Sequence, residues 1–374
     1  MFLLLLLCFL LAWFLSQKLY ARYWCNGLSV EIEFQERFLY EGDTSAMKEI
    51  VVNDKFLPLP ALEIRFSSNR NLEFLSEASA NTSSTDRSYK RDVFSFLFHQ
   101  RIERTLPFIA HKRGFYEIFD VSITGYDFFF RSGHYAETHQ DTVLYVYPRQ
   151  VDTYRIALLC QAVSGMLLSR SRLYPDPFEF SGIREYRRED PMNHINWKAS
   201  ARTGNLMVNQ FDSTTSISLS ILFDIEDRLI LKYEELVEET IRIVSSLCGR
   251  LVKDRMSFHV AGNGLDPVTE TPFSMYIKAG GGKIQELNQK LACIDIAQTV
   301  YSAIELLEKE AGLRRTDHTY IFISKNREDD LRGAMRALTG AGNQILWVLP
   351  IKAADASSLD FSPIPHVTML PWEI

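Results

Sequence analysis

The chain has 374 residues, 46% of them hydrophobic and 24% charged, with a formal net charge of -6; this length and apolar share build about two domains with cores and exclude a disordered chain. The acidic balance excludes a global electrostatic case for nucleic acid, which is bound through basic faces. Five cysteines (Cys8, Cys25, Cys160, Cys248, Cys293), odd in number, with no CxxC pair and no clustered His, suggest neither a disulfide framework nor a zinc site and fit a reducing compartment.

The chain begins MFLLLLLCFLLAWFL, 15 unbroken apolar residues, followed by SQKLYARYW. Roughly 20 apolar residues span a bilayer at about 1.5 Å each, so residues 1–24 are expected to form a transmembrane anchor in contact with lipid. Lys18 would snorkel outward, and Tyr20, Tyr23 and Trp24 would sit in the interface. No basic segment precedes the apolar run and no A-x-A site follows it, which argues against a cleaved signal. Lys18 and Arg22 lie after the run, so the positive-inside rule predicts a single-pass protein of the cytoplasmic membrane with the bulk of the chain facing the cytoplasm.

Period-two alternation begins at Leu28, Val30, Ile32 and Phe34 and recurs at Leu62, Ile64, Phe66 and at Phe119, Val121, Ile123. Turn-forming pieces separate these runs: EGD at 41–43, LPLP at 57–60 and RSGH at 131–134. The spacing predicts an all-β, immunoglobulin-like antiparallel sandwich over 27–149, closing at LYVYP. Ser76 to Arg91 is polar and reads as an exposed loop. Residues 150–215 then hold a linker helix, through IALLCQAVSGMLL (156–168), and a polar segment.

From 216 to 374, strands alternate with helices, the pattern of an α/β domain. SISLSILFD (216–224), MSFHVAG, HTYIFIS and NQILWVLP read as strands; LKYEELVEETIRIVSSLCGRLVKD (231–254), GKIQELNQKLACI, AQTVYSAIELLEKE and REDDLRGAMRALTG read as helices. Parallel strands of this kind hold ligands beyond their C-terminal ends, which places Asp224 where chemistry is expected.

The von Willebrand factor A domain binds Mg²⁺ there through an Asp followed by Ser two and four residues on. Here Glu226 and Arg228 occupy those two positions, and an Arg would repel the cation. A degenerate metal site at Asp224, Glu226 and Arg228 is therefore expected, with no metal and no cofactor; Asp224 would cap the next helix or pair with Arg228, and Asp227 would favour that helix's N-terminus. No GxSxG, HExxH or GxxxxGKS pattern occurs, and nothing fixes a triad around Ser200 and His194, so no enzyme is expected.

The segment GIREYRREDPMNHINWKASAR (182–202) holds five Arg or Lys beside Tyr186 and Trp197. Aromatics of this size bury large areas when they find partners, so an ordered polar network is expected. Arg184, Arg187, Arg188, Lys198 and Arg202 are available to pair with Glu185, Glu189 and Asp190, or to cover Trp197. Trp197 should be mostly buried, Asp190 should have an Arg or backbone N–H partner, and the network should brace the segment against the end of the first α/β strand.

Gly182, Arg184, Tyr186, Asp190, Ile195, Trp197, Ser200, Ala201 and Arg202 form a pattern that resembles the signature of the bacterial family described as domain of unknown function 58. The resemblance extends to the N-terminal apolar helix, EGD and LPLP, RGFY at 113–116, and the closing VYP. It departs at Arg188-Glu189, where the family usually has Pro-Gly, and at Asn193, where it has an Arg. The resemblance implies a von Willebrand factor A-like, Rossmann-type second domain. It also implies an adaptor working with a MoxR-type AAA+ ATPase in the assembly of envelope or other complexes. Its contact surface would be Gly182, Arg184, Tyr186, Asp190, Ile195, Trp197, Ser200 and Arg202. A divalent-metal-dependent, adhesion-type domain is the alternative, with a hydrolase behind it.

Overall fold

Alternating apolar residues close a two-sheet β-sandwich in the first part of the chain, as seen in the computed structural model. The structure describes every residue except 1–12, 19, 76–81, 85–86, 128–129, 131–132, 172–179, 189, 212–218, 229–232, 281 and 359–362. It divides into two units, Met1–Arg149 with Leu291–Cys293, and Gln150–Lys290 with Ile294–Ile374.

The strands of the first unit are β1 (Leu28–Phe34), β2 (Phe38–Tyr40), β3 (Thr44–Asn53), β4 (Leu59–Asn69), β5 (Leu72–Phe74), β6 (Thr82–Ser84), β7 (Arg87–Phe96), β8 (Gln100–Ala110), β9 (Gly114–Tyr126) and β10 (Gly133–Tyr147). They form one sheet in the order β1-β3-β8-β5 and another in the order β2-β10-β9-β4-β7-β6. Val30, Ile32, Met47 and Val51 of the first sheet and Leu62, Ile64, Phe66, Val121 and Ile123 of the second are buried in one core. Alternation places these side chains on a single face of each strand, and burying that face is what stabilises the sandwich. A bulge in β10 between His139 and Thr142, opposite Phe119, breaks the alternation in β9, so Phe119 is 44% exposed although Val121 and Ile123 are buried. Tyr116 donates its hydroxyl to the Lys112 carbonyl (2.7 Å), and the ring lies so close to Gly114 that a Cβ there would be 3.2 Å away, which accounts for the RGFY run.

The expected loop over Ser76 to Arg91 is corrected in part. Residues 82–84 and 87–91 are strand, and 76–81 with 85–86 lie outside the described residues. The apolar signal is missing there because the inward positions of β7 include Lys90 and Asp92, both buried.

The transmembrane anchor over 1–24, with its lipid contact and its single-pass place in the cytoplasmic membrane, is also corrected. No helix among the described residues is long and apolar enough to cross a membrane; residues 1–12 lie outside them. The physical reason lies in the aromatics that the span required. Tyr20 and Trp24 are 3% and 6% exposed in the sandwich core, where Tyr20 donates to the Tyr126 carbonyl (2.8 Å) and Trp24 lies over Gly125.

The second unit contains α1 (Thr153–Ser171), then β11 (Phe180–Glu185), α2 (Trp197–Thr203) and β12 (Met207–Phe211). After these come β13 (Leu219–Phe223), α3 (Glu234–Lys253), β14 (Phe258–Leu265), β15 (Pro272–Ile277), α4 (Ile284–Cys293, of which Leu291–Cys293 is counted with the first unit), α5 (Ala303–Gly312), β16 (Thr319–Ile323), α6 (Asp329–Thr339), β17 (Gln344–Ile351) and β18 (Val367–Glu373). Six strands make one sheet in the order β15-β14-β13-β16-β17-β18, parallel at every step but β14/β15. Tyr320, Phe322 and Trp347 join Leu306, Leu307, Leu331 and Met335 of α5 and α6 in one core, so by alternation Ile321 and Ile323 face the opposite side. The chain as a whole is mostly β-sheet, which corrects the expected fold class of a membrane helix followed by a von Willebrand factor A-like, Rossmann-type domain.

Phe223, at the end of β13, packs over Gly262 of β14, where a Cβ would lie 2.3 Å from the ring. Gly262→Ala should therefore cost about 3 kcal/mol through overpacking. In urea, the midpoint of the second unit should fall with that of the sandwich unchanged, and Phe223→Leu should restore part of the loss. A shift below about 0.5 kcal/mol would mean that the ring moves aside freely.

Candidate functional site

The segment 182–202 builds its own small framework. β11 pairs antiparallel with β12, matching Arg184 with Val208 and Glu185 with Met207. Between them lie a 3-10 turn (Met192–His194) and the helix α2. The Asn196 side chain caps this helix by accepting from the Ala199 N–H (2.9 Å), and Gly204 ends it at φ +76°, a left-handed conformation that glycine adopts without strain. Ser200 ties helix to strand: its Oγ donates to the Asn196 carbonyl and accepts from the Met207 N–H, both at 2.8 Å. Ile195 and Val208 bridge and are buried, and the Tyr186 N–H donates to the Leu206 carbonyl (2.9 Å).

Arg184 forms a two-pronged pair with Asp190, at 2.7 and 2.6 Å, and the Arg187 N–H donates to the same carboxylate (2.8 Å). These bonds, Arg184's first, hold the Asp190 carboxyl down at about 2. Trp197 departs from expectation: it is 66% exposed, because it is the first residue of a seven-residue helix whose inward contact is made by Ser200. Met192 is 72% exposed, and Arg187, Arg188, Lys198 and Arg202 are exposed as well. A Cβ at Gly182 meets nothing within 4 Å, so nothing in the structure explains that glycine. The bonds of Arg184, Asp190 and Ser200 close within residues 184–207 rather than against the end of β13.

At the end of β13, Asp224 is the hub of a buried network. Its Oδ1 accepts from the Glu226 N–H (2.8 Å) and Asn263 Nδ2 (2.6 Å); its Oδ2 accepts from Ser324 Oγ (2.6 Å) and Asn326 Nδ2 (2.8 Å). Burial pushes its pKa up, while those four donors act in the other direction. Asn263 is oriented by the Ile225 N–H, which donates to its Oδ1, and Asn326 by a second bond to the Glu226 carbonyl. Four N–H or O–H groups therefore point at the carboxylate where a divalent cation would need lone pairs, and these residues do not fit a metal.

The flanking residues are paired in turn. Glu226 binds Arg228 (2.8 Å) and accepts from the Ala303 N–H (3.0 Å); Arg228 also reaches Glu328 (2.7 Å). Lys325 pairs with Asp227 at 2.6 Å, and Asp227 accepts from the Tyr233 N–H (2.7 Å) just ahead of α3. Asp224 thus caps no helix and does not meet Arg228; Glu226 does. The sequence reading missed Asn263, Ser324 and Asn326. The strand ends GNG and ISKN carried them, yet a search for acids passes over neutral amide and hydroxyl donors.

No protein-family model matches the chain, and no curated protein matches it. Among solved structures, the CARDB domain of the PF1109 protein from Pyrococcus furiosus is 16% identical, over 31% of this chain and 93% of its own, with a TM-score of 0.20. A non-cellulosomal cohesin from Archaeoglobus fulgidus is 10% identical over 32% and 91%, with a TM-score of 0.23. Domains D2 and D3 of the major pilin SpaD from Corynebacterium diphtheriae are 6% identical over 29% and 50%, with a TM-score of 0.23. The described strands outnumber the helices along the chain, which is mostly β-sheet, and 216–374 is not assigned to the von Willebrand factor A-like fold. Alternating strands and helices are common to many sheets and do not select that one.

Proposed function

We propose that the chain is a non-catalytic interaction protein that binds its partner through the outward face of the 182–202 framework. The observation that carries this reading is Trp197, two-thirds exposed on a capped helix in a segment whose Arg187, Arg188, Lys198 and Arg202 are exposed as well. None of these four cations has an ion pair within 4 Å among the described residues. Tryptophan and arginine dominate binding energy at interfaces, and a rigid support lowers the ordering cost of presenting them. The resemblance to the domain of unknown function 58 family supplies the expected partner, a MoxR-type AAA+ ATPase, and an adaptor role in assembly of a protein complex.

The test is co-purification of the full chain with such an ATPase under nucleotide conditions that trap the bound state. Wild type should retain the ATPase. Trp197→Ala and Arg202→Glu should each lower retention at least about tenfold with urea midpoints within about 0.5 kcal/mol of wild type. Equal retention by both variants, or none by wild type, overturns the reading.

A further inference from the structure

The inward contact of α2 fixes which of its side chains point outward. Ser200 turns in, bonded to the Asn196 carbonyl and the Met207 N–H. At about 100° per residue, Lys198 and Arg202, one turn apart, lie on the side opposite Ser200, with Trp197 and Ala201, again one turn apart, beside them. All four are exposed. Ala201 carries only a methyl group, too small to cover the Trp197 ring, so the indole stands open next to two cations.

Charge is the second observation. Residues 182–209 hold five Lys or Arg and three Asp or Glu, a formal +2 in a chain whose total is -6. Arg184 is neutralised by Asp190. Arg187, Arg188, Lys198 and Arg202 stay exposed with no ion pair among the described residues. A local excess of uncompensated cations on an acidic protein is complementary to negative charge on whatever docks there.

We infer that this face binds an acidic polypeptide segment in which carboxylates flank one apolar side chain. Lys198 and Arg202 take the carboxylates, and the apolar side chain lies against Trp197 in the space that Ala201 leaves. The inference rests on the reading of 182–202 as an interaction surface and names the chemistry of its partner. Phosphate polymers match less well. The net charge of -6 repels a nucleic acid at long range, and a single ring gives no platform for successive bases. With one large apolar residue on its outward face, α2 also lacks the apolar area that holds a helix in a lipid interface.

Fluorescence anisotropy of labelled peptides titrated with the full chain tests this. The probes are acetyl-EELEELEE-amide, its neutral twin acetyl-QQLQQLQQ-amide and the leucine-free acetyl-EEAEEAEE-amide. The first should bind saturably at about 50 mM salt and weaken at least about tenfold at about 300 mM. Each control peptide should bind at least about tenfold more weakly than the first. Lys198→Glu combined with Arg202→Glu should lower affinity at least about tenfold, and Trp197→Ala should abolish the preference for leucine over alanine. Amide NMR shifts of the wild type confined to 183–208 keep the test informative if a variant fails to fold. Equal binding of either control peptide, no saturation up to about 1 mM, tighter binding of double-stranded DNA or phosphatidylserine vesicles, or folded variants that bind like wild type would each overturn it. Failure here is separable from failure of the reading beneath it. Peptide binding by a chain that retains no ATPase supports the acidic segment and sinks the ATPase assignment alone. ATPase retention that is lowered by Trp197→Ala but untouched by salt and by the charge reversals sinks the acidic segment alone.

Discussion

Asp224→Ala is expected to destabilise the second unit by about 3–4 kcal/mol, because it strands four buried donors rather than removing one contact. Asn263, Ser324 and Asn326 come from β14 and from the end of β16, so the loss unties both of these strand ends from that of β13 at once. Equilibrium urea unfolding should show two transitions, with the second unit's midpoint lowered and the sandwich's unchanged. Asp224→Asn keeps the shape but turns one acceptor into a donor facing donors, so it should fall between wild type and Ala. The same network makes a second outcome specific: millimolar Mg²⁺ should leave the wild-type melting temperature where it is, since a ligand that binds only the folded state would raise it by mass action. A rise abolished by Asp224→Ala would restore the metal-binding alternative.

The sandwich should lose stability as pH rises from about 4.5 to about 7, through Glu49. This residue is fully buried on β3, and neither carboxylate oxygen has a hydrogen-bond partner among the described residues. Burial, with help from the Asp92 carboxylate, pushes its pKa to about 7, against the opposing pull of Arg104 and Lys90. The folded form therefore keeps its proton in a window where the unfolded chain has released it. Stability is complete below the unfolded value and declines as pH passes through the folded one. A shift from 4.5 to about 7 corresponds to about 3 kcal/mol across that window. Glu49→Gln removes the titration, so its stability should be flat where wild type declines, and at pH 8 it should be the more stable protein. Parallel pH profiles for the two proteins would show that Glu49 is charged throughout.

How much of this was legible in the sequence depends on whether a position's neighbours in space resemble its neighbours in the chain. β1 was readable because Val30 and Ile32 face an apolar core; β7 was not, because Lys90 and Asp92 lie inside among Arg104 and Glu49, and burial of charge erases the alternation. β15 and β18, the outer strands of the mixed sheet, were missed; Pro272 opens the first and Pro371 lies within the second, both in the manner of edge positions. Trp197 was expected inside because a large aromatic usually is, but in a helix of seven residues Ser200 makes the inward contact and the ring is left outside.

The amino-acid sequence by itself determined the strands whose apolar periodicity matches their burial, the helices with one apolar stripe such as α3, and the local Arg184–Asp190 and Asn196 bonds, which need only residues within six positions. Tertiary structure alone decided what Asp224, Trp24 and Glu49 do. One partner of Asp224, Asn326, lies 102 residues away, and the destination of a polar or amphipathic side chain is set by which donors, rings and charges the fold brings to it.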